Sequence, residues 1–119
     1  MPRANVRVMR YLILIVAFAL SGCVTTLSDI REREVQDDVV TARALPEVRD
    51  CLLQTVSYGR TPIVTGNGDR TEIVFQTGAA GAIFHYVLTA TDSGTRVEAR
   101  RKNNIADGFN AGRACYPAN

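Results

Sequence analysis

Residues 61–102, TPIVTGNGDRTEIVFQTGAAGAIFHYVLTATDSGTRVEARRK, decide the fold of this chain. They contain four runs of strand-forming residues, separated by short glycine-containing turn sequences at 66–69, 78–81 and 91–94. Within the runs apolar residues alternate with others, which is typical of strands that bury one face. Because short turns join consecutive antiparallel strands, the stretch predicts a four-stranded antiparallel meander.

The alternation also assigns side chains to the two faces of the predicted sheet. Along the second run, one face should carry Ile73 and Phe75, and the other Glu72, Val74 and Gln76. Along the third run, one face should carry Phe84, Tyr86 and Leu88, and the other Ile83, His85 and Val87. His85 is the chain's single histidine, and we expect a sheet-face or partly buried side chain there rather than a catalytic one.

Two helices are predicted to flank the meander. Over 46–57, Pro46 suits the first turn, and apolar residues recur at intervals of three and four to form one stripe that includes Cys51. A shorter helix over 105–115 would be capped by Asn104. Residues 45–119 are therefore expected to form a small α+β domain, with both helices on one face of the sheet.

The cysteine positions predict a covalent link between these helices. Cys51 and Cys115 are an even number of cysteines, as a disulfide requires. Residues 1–22 indicate export to an oxidising compartment, where disulfides form. A small domain often needs such a bond for stability. We therefore expect a disulfide between Cys51 and Cys115, the alternative being two buried thiols.

The first 22 residues have the organisation of a secretory signal peptide. Three arginines and no acidic residue precede an apolar run at 11–20, which is followed by small residues. Ten helical residues span only about 15 Å, roughly half of the hydrocarbon core of a bilayer. We therefore interpret 1–22 as a cleaved leader rather than a membrane span.

The end of this leader, Leu20-Ser21-Gly22-Cys23, resembles the lipobox of bacterial lipoproteins. The resemblance implies that Cys23 receives a diacylglyceryl group, that cleavage occurs before it, and that acyl chains on Cys23 attach the protein to a membrane. In well-studied Gram-negative cells, an aspartate after the cysteine favours the inner membrane, whereas Val24 stands here. The expected location is thus the periplasmic face of the outer membrane, and the inner membrane is the less favoured alternative.

Residues 23–44 are expected to be the lipidated cysteine followed by a charged tether, or a loose helix capped by Ser28. The adjacent acids Asp37 and Asp38 fit a solvated face better than a cation site. Residues 28–50 carry seven acids and four bases, whereas 93–119 carry five bases and two acids. The acidic segment is therefore expected to pack near the basic one.

Composition excludes several classes of function. Removal of 1–22 takes away three of the 14 basic residues and none of the 12 acidic ones, leaving 11 against 12 and a net charge of −1. A basic nucleic-acid interface is therefore not expected, and few aromatic residues are present to stack on bases. A single histidine cannot build a multi-histidine metal site, so neither a metal nor a cofactor is expected.

The sequence contains no recognisable catalytic motif. It lacks the nucleophile-elbow, zinc-protease, dithiol and phosphate-loop patterns, so no catalytic residue is assigned. Arg96, Arg100 and Arg101 form a basic group on the last predicted strand. They could contact an anionic partner, or they could be the charged side chains of an edge strand that resists unwanted pairing.

These features predict a non-catalytic envelope accessory or binding module, with another envelope protein as the candidate partner. The helix-first order and the run Val48-Arg49-Asp50-Cys51-Leu52 resemble small uncharacterised proteobacterial lipoproteins. The alternative is a small periplasmic enzyme or an enzyme inhibitor of the hydrolase or lysozyme-inhibitor type. Lysozyme-inhibitor lipoproteins carry a strand-borne first cysteine and a tryptophan-containing motif, both missing here. An enzyme would require a pocket around His85 with acids nearby.

Overall fold

The computed structural model describes residues 26–103, 105 and 107–119. The predicted leader 1–22, the predicted lipidation residue Cys23 and the predicted helix cap Asn104 lie outside the described residues. The elements are α1 (Leu27–Arg31), β1 (Asp37–Thr41), α2 (Leu45–Val56), β2 (Thr61–Asn67), β3 (Arg70–Thr77), β4 (Gly81–Thr91), β5 (Gly94–Arg101), α3 (Phe109–Gly112) and a 3-10 helix (Arg113–Cys115). The expected α+β class is confirmed.

The strands form one antiparallel sheet in the order β1-β5-β4-β3-β2. The meander β2 to β5 is confirmed, with two-residue turns at 68–69 and 92–93. The prediction of four strands is wrong, because β1 pairs with β5 and adds a fifth. As a result β2 and β1 form the edges of the sheet, and β5 lies inside it.

Residues 26–44 contain α1 and β1, which corrects the expectation of a tether, whereas the alternative of a helix in this segment is present at Leu27–Arg31. The strand is not predicted from the sequence because the segment has only two adjacent apolar residues, at 39–40, among many charged ones. In the structure the charges have partners: Asp37 binds Arg113, and Asp38 binds Arg96. The predicted packing of the acidic segment near the basic C-terminal part is present in these two pairs.

The main core lies between the sheet and the two later helices. The apolar stripe of α2 is buried through Val48, Leu52 and Val56, and it packs in one cluster with Phe75, Phe84, Tyr86 and Phe109. Cys51 and Cys115 form a disulfide with a Cα–Cα distance of 5.6 Å. The predicted disulfide and the predicted placement of the two helices on one face are both confirmed.

The C-terminal helix is shorter than the predicted span 105–115. It consists of one α-helical turn at Phe109–Gly112, followed by the 3-10 helix. Gly108 precedes it with a φ of 81°, in the left-handed region that an α-helix cannot include. This backbone conformation breaks the continuous helix that apolar spacing alone suggests.

The strand alternation is confirmed except at Ile83. The register pairs Phe75 with Phe84 but Gln76 with Ala82, so a β-bulge leaves Ile83 without a partner. Ile83 consequently packs in the main core beside Phe84 instead of on the His85 face. The other residues assigned to the helix-bearing face of β3 and β4 are buried there, as expected.

A second, smaller core lies on the opposite face of the sheet, beneath α1. Ile30 is fully buried against Val74 and Ala82. A capping box stabilises this five-residue helix: Thr26 and Asp29 exchange side-chain to backbone hydrogen bonds, so Thr26 is the cap instead of the predicted Ser28. The sheet is therefore covered on one face by α2 and α3 and in part on the other by α1.

Candidate functional site

The part of the sheet that α1 leaves uncovered forms a shallow groove of about 280 Å³. We call it the α1-side groove. Its lining residues come from α1 and from the three central strands, and all but one are polar or charged: Arg31, Arg70, Glu72, His85, Val87, Glu98 and Arg100. This mixed-charge surface is a candidate binding site in the described part of the chain.

The strand register explains why these residues meet. Val87 on β4 pairs with Glu72 on β3 and with Glu98 on β5, so the two carboxylates lie on either side of it. His85, two residues before Val87 on the same face, pairs with Arg100. The groove floor is therefore a direct product of the alternation in three neighbouring strands.

Arg31 closes one wall of the groove through an ion pair with Glu72. Its Nε and Nη2 atoms both donate to Oε1 of Glu72, with the Nε bond at 3.0 Å. Partial burial by itself would raise the pKa of Glu72, but the hydrogen bond from Arg31 and the electrostatic effect of the nearby His85 and Arg31 side chains outweigh it and lower that pKa. Glu72 is thus a carboxylate at neutral pH, and it holds α1 against the sheet.

His85 is buried between this carboxylate and an arginine. Burial lowers the pKa of His85, and the opposing attraction of Glu72 does not compensate. Nδ1 lies 3.5 Å from Nη1 of Arg100, which can only donate, so Nδ1 accepts and the proton sits on Nε2. Nε2 lies 3.6 Å from Oε2 of Glu72, too far for a hydrogen bond, and it has no partner among the described residues.

This geometry limits what His85 can do chemically. A general base must present a lone pair to its substrate, and the only lone pair of this ring already faces Arg100. The residue as a whole is also only 2% exposed. A buried, neutral imidazole whose lone pair faces Arg100 is poorly suited to removing a proton from a substrate.

Arg70 differs from the other arginines of the groove. It is exposed at the start of β3, and its guanidinium has no acidic or hydrogen-bonding partner among the residues described. Arg31 is engaged by Glu72, and Arg100 donates to the carbonyl of Arg33 at 3.0 Å. With three arginines and two glutamates, the lining has an excess of one positive charge. Arg70 is therefore the group best placed to bind an anion.

The basic residues predicted as a contact group do not form one site. Arg96 makes a two-bond pair with Asp38 at 2.9 and 2.8 Å, and Arg100 lies in the α1-side groove. Arg101 lies on the other face of the sheet, over the ring of Phe109. The edge-strand interpretation is wrong as well, because β5 is flanked by β1 and β4.

A second charged cluster, at Asp37, is structural in character. Asp37 accepts two hydrogen bonds from Arg113, at 2.8 and 3.0 Å, and one from the hydroxyl of Tyr116 at 2.8 Å. Partial burial opposes ionisation of Asp37, but these donors outweigh it and lower the pKa of the carboxyl. The cluster ties the edge strand β1 to the C-terminal segment.

Four charged residues of the groove, Arg31, Arg70, Glu72 and Glu98, are missed by reasoning from sequence. Alternation puts Glu72 on the His85 face without marking it as a site residue, although its place beside His85 in that pattern is a usable signal. The sequence gives no comparable signal for Arg31 or Arg70. No sequence signal could have indicated Arg31, because its approach depends on how α1 packs across the sheet.

Comparison with known proteins found no matching family model, no similar curated protein and no similar solved structure. Among the described residues no helix is long and apolar enough to cross a membrane. Within the same residues, no group of three or more histidine, cysteine and acidic side chains is arranged to hold a metal ion.

Proposed function

We propose that the chain is a lipid-anchored envelope protein, held at the periplasmic face of the outer membrane, which binds a partner or ligand without transforming it. The lipobox-like sequence at 20–23 supports the anchor. The disulfide adds to this support: it occupies Cys51 and Cys115, so Cys23 is the one cysteine of the three left for lipid.

The binding role is supported by one observation: the charged groups around His85 are held in place by contacts with one another. Arg31 holds Glu72, and Arg100 faces the lone pair of His85, so the central groups of the groove are fixed by one another. Such a surface is preorganised, which lowers the entropic cost of binding. Arg70 at the rim is the group that would contact an anionic ligand or partner surface.

The experiment is mild crosslinking and capture of the full-length lipoprotein from solubilised envelopes. Arg70→Gln should weaken recovery of a stoichiometric partner, and Cys23→Ser should abolish it if capture requires the anchor. The matched control is Arg49→Gln, which changes an arginine on α2, on the other side of the sheet. Equal recovery with wild type, Arg70→Gln and Arg49→Gln would contradict a role for the groove in holding a protein partner.

A second candidate function is catalysis, or enzyme inhibition, at the same groove. One observation favours it: His85 lies beside a groove that also contains Glu72 and Glu98, as an enzyme would require. On this alternative, His85→Gln abolishes hydrolytic or inhibitory activity of the folded protein against envelope polymers or lysozyme. On the binding proposal, the folded His85→Gln protein still captures the partner, because Arg70 makes the contact with it.

A further inference from the structure

We propose that the α1 side of the sheet rests against the membrane that holds the anchor, so that the α1-side groove opens onto phospholipid headgroups. The inference rests on the proposed lipidation of Cys23. It deepens that proposal by assigning which surface of the domain faces the lipid and which chemical group, a headgroup phosphate, the groove meets.

The length of chain between the anchor and the fold carries the inference. A 22-residue tether over 23–44 could hold the domain about 70 Å from the bilayer. The structure instead starts its first helix at Leu27, with Thr26 as the cap. Three residue steps separate Cys23 from Thr26, and three fully extended residues span at most about 11 Å. The start of α1 is therefore confined to the headgroup region.

The packing of α1 determines which side of the domain is held there. Ile30 is fully buried on the sheet face opposite to α2, and Arg31 binds Glu72 on that same face. The anchor cannot move to the α2 side unless α1 leaves the sheet. An anchored molecule must then present its α1 side to the lipid and its α2 side to the periplasm.

The charge of the groove suits this orientation. Arg31 lines the groove from α1 itself, so the groove adjoins the anchored element. Arg70 has no acidic partner among the described residues, and an arginine forms strong paired hydrogen bonds with phosphate oxygens. A headgroup phosphate at Arg70 would offset the excess positive charge of the lining.

The absence of tryptophan from the chain gives a direct test. Single-tryptophan variants of the full-length lipoprotein are made at Ser28, exposed on α1, and at Gln54, exposed on α2. Each is reconstituted in phosphatidylethanolamine–phosphatidylglycerol vesicles, with and without a lipid that carries a nitroxide on its headgroup. Thr65→Trp, an exposed position on the α1 side of β2, serves if Ser28→Trp does not fold.

We expect Ser28→Trp to lose most of its fluorescence to the nitroxide lipid and Gln54→Trp to lose little. Adding Arg70→Gln to the Ser28→Trp protein should reduce the quenching, because the domain then tilts more freely. Equal quenching of the two tryptophans, or stronger quenching of Gln54→Trp, would overturn the inference. An unchanged signal with Arg70→Gln would overturn the phosphate contact.

Failure of the underlying proposal gives a different result. If Cys23 carries no lipid, mass spectrometry of the same preparation shows it, neither variant is retained on vesicles, and both proposals fall. If Cys23 is lipidated and the quenching pattern is reversed, only the orientation is wrong.

Discussion

At the scale of single residues, His85 makes a contribution to the free energy of unfolding that depends on pH. The imidazole is buried, accepts from Arg100 and is neutral in the folded protein, whereas in the unfolded chain it titrates near its ordinary value of 6.5. Because the folded pKa is lowered, the unfolded state binds more protons as the pH falls below 6.5. The stabilisation is complete above that pH and is lost as the pH falls toward the folded pKa.

We therefore predict that the free energy of unfolding decreases as the pH is lowered from 7 to 5. His85→Gln, which cannot ionise, should flatten the curve in this range while leaving the decline below pH 4.5, where the carboxyls of Glu72 and Asp37 titrate. Urea titrations at several pH values measure this. An identical slope between pH 7 and 5 in wild type and His85→Gln would show that His85 is not held neutral.

The neighbouring acids Asp37 and Asp38 form a matched pair for a second prediction. Each makes a two-bond contact with an arginine, but the Asp37 side chain is 14% exposed and that of Asp38 is 48% exposed. Asp37→Asn also disturbs the hydrogen bond from Tyr116. We expect a loss of about 1–3 kcal/mol for Asp37→Asn and at most about 1 kcal/mol for Asp38→Asn, by chemical denaturation. Equal losses would contradict the different burial of the two pairs.

At the scale of elements, α1 should depend chiefly on Ile30 for its position, with the Arg31–Glu72 ion pair as its second attachment. Ile30 fills the small core beneath the helix, and Ile30→Ala should cost about 2 kcal/mol, the low end for such truncations because the cluster is small. The amide of Glu32, which donates to Ser28, should then exchange faster with solvent. Ser28→Ala, on the exposed side of α1, is the control. If Ile30→Ala leaves both stability and exchange unchanged, α1 is not held by this core.

The disulfide links α2 to the short C-terminal helices, which are also held by Phe109 in the main core and by the Asp37 cluster. Cys51 and Cys115 are 64 positions apart, and a loop of that length corresponds to about 4 kcal/mol in the chain-entropy account. The double variant Cys51→Ala/Cys115→Ala should lose roughly that amount in urea unfolding. Reduction of the wild type should lower the free energy of unfolding by a similar amount. A negligible effect of either treatment would contradict a stabilising role for the disulfide.

The same elements show which parts of the fold can be read from sequence. The strands β2 to β5 are predictable because turns and alternation are local signals. The strand β1 is not, because its charges are satisfied by partners 58 and 76 residues away, at Arg96 and Arg113. The β-bulge that turns Ile83 toward the core is equally invisible in the alternation.

The candidate site likewise combines residues that the sequence pattern can place and residues that only the tertiary structure places. Alternation along β3 and β4 is enough to place Glu72 and His85 on one face of the sheet. Arg31 reaches them only because α1 folds across the sheet, and the local sequence of the N-terminal segment, with its dense charges, is typical of a tether. Arg100 stands out in the sequence for its charge, but its contact with His85 follows from the pairing of β4 with β5.

At the scale of the whole molecule, the two faces of the sheet have different roles. The face beneath α2 carries the main core and the disulfide, so it supplies most of the stability. The α1 face carries a small core and a charged groove, close along the chain to the proposed anchor. An anchored binding module needs this division, because the surface that meets lipid or partner must be held rigidly by a separate core.

The most direct test of the account is the mass of the N-terminal peptide from protein purified out of its own membranes. We predict a mature chain that begins at Cys23 and carries a diacylglyceryl thioether, with Cys51 and Cys115 joined. The same peptide should be absent from a Cys23→Ser strain. A mature protein that begins at another residue, or a Cys23 that carries a free thiol, would contradict the lipid anchor and with it the proposed role at the membrane.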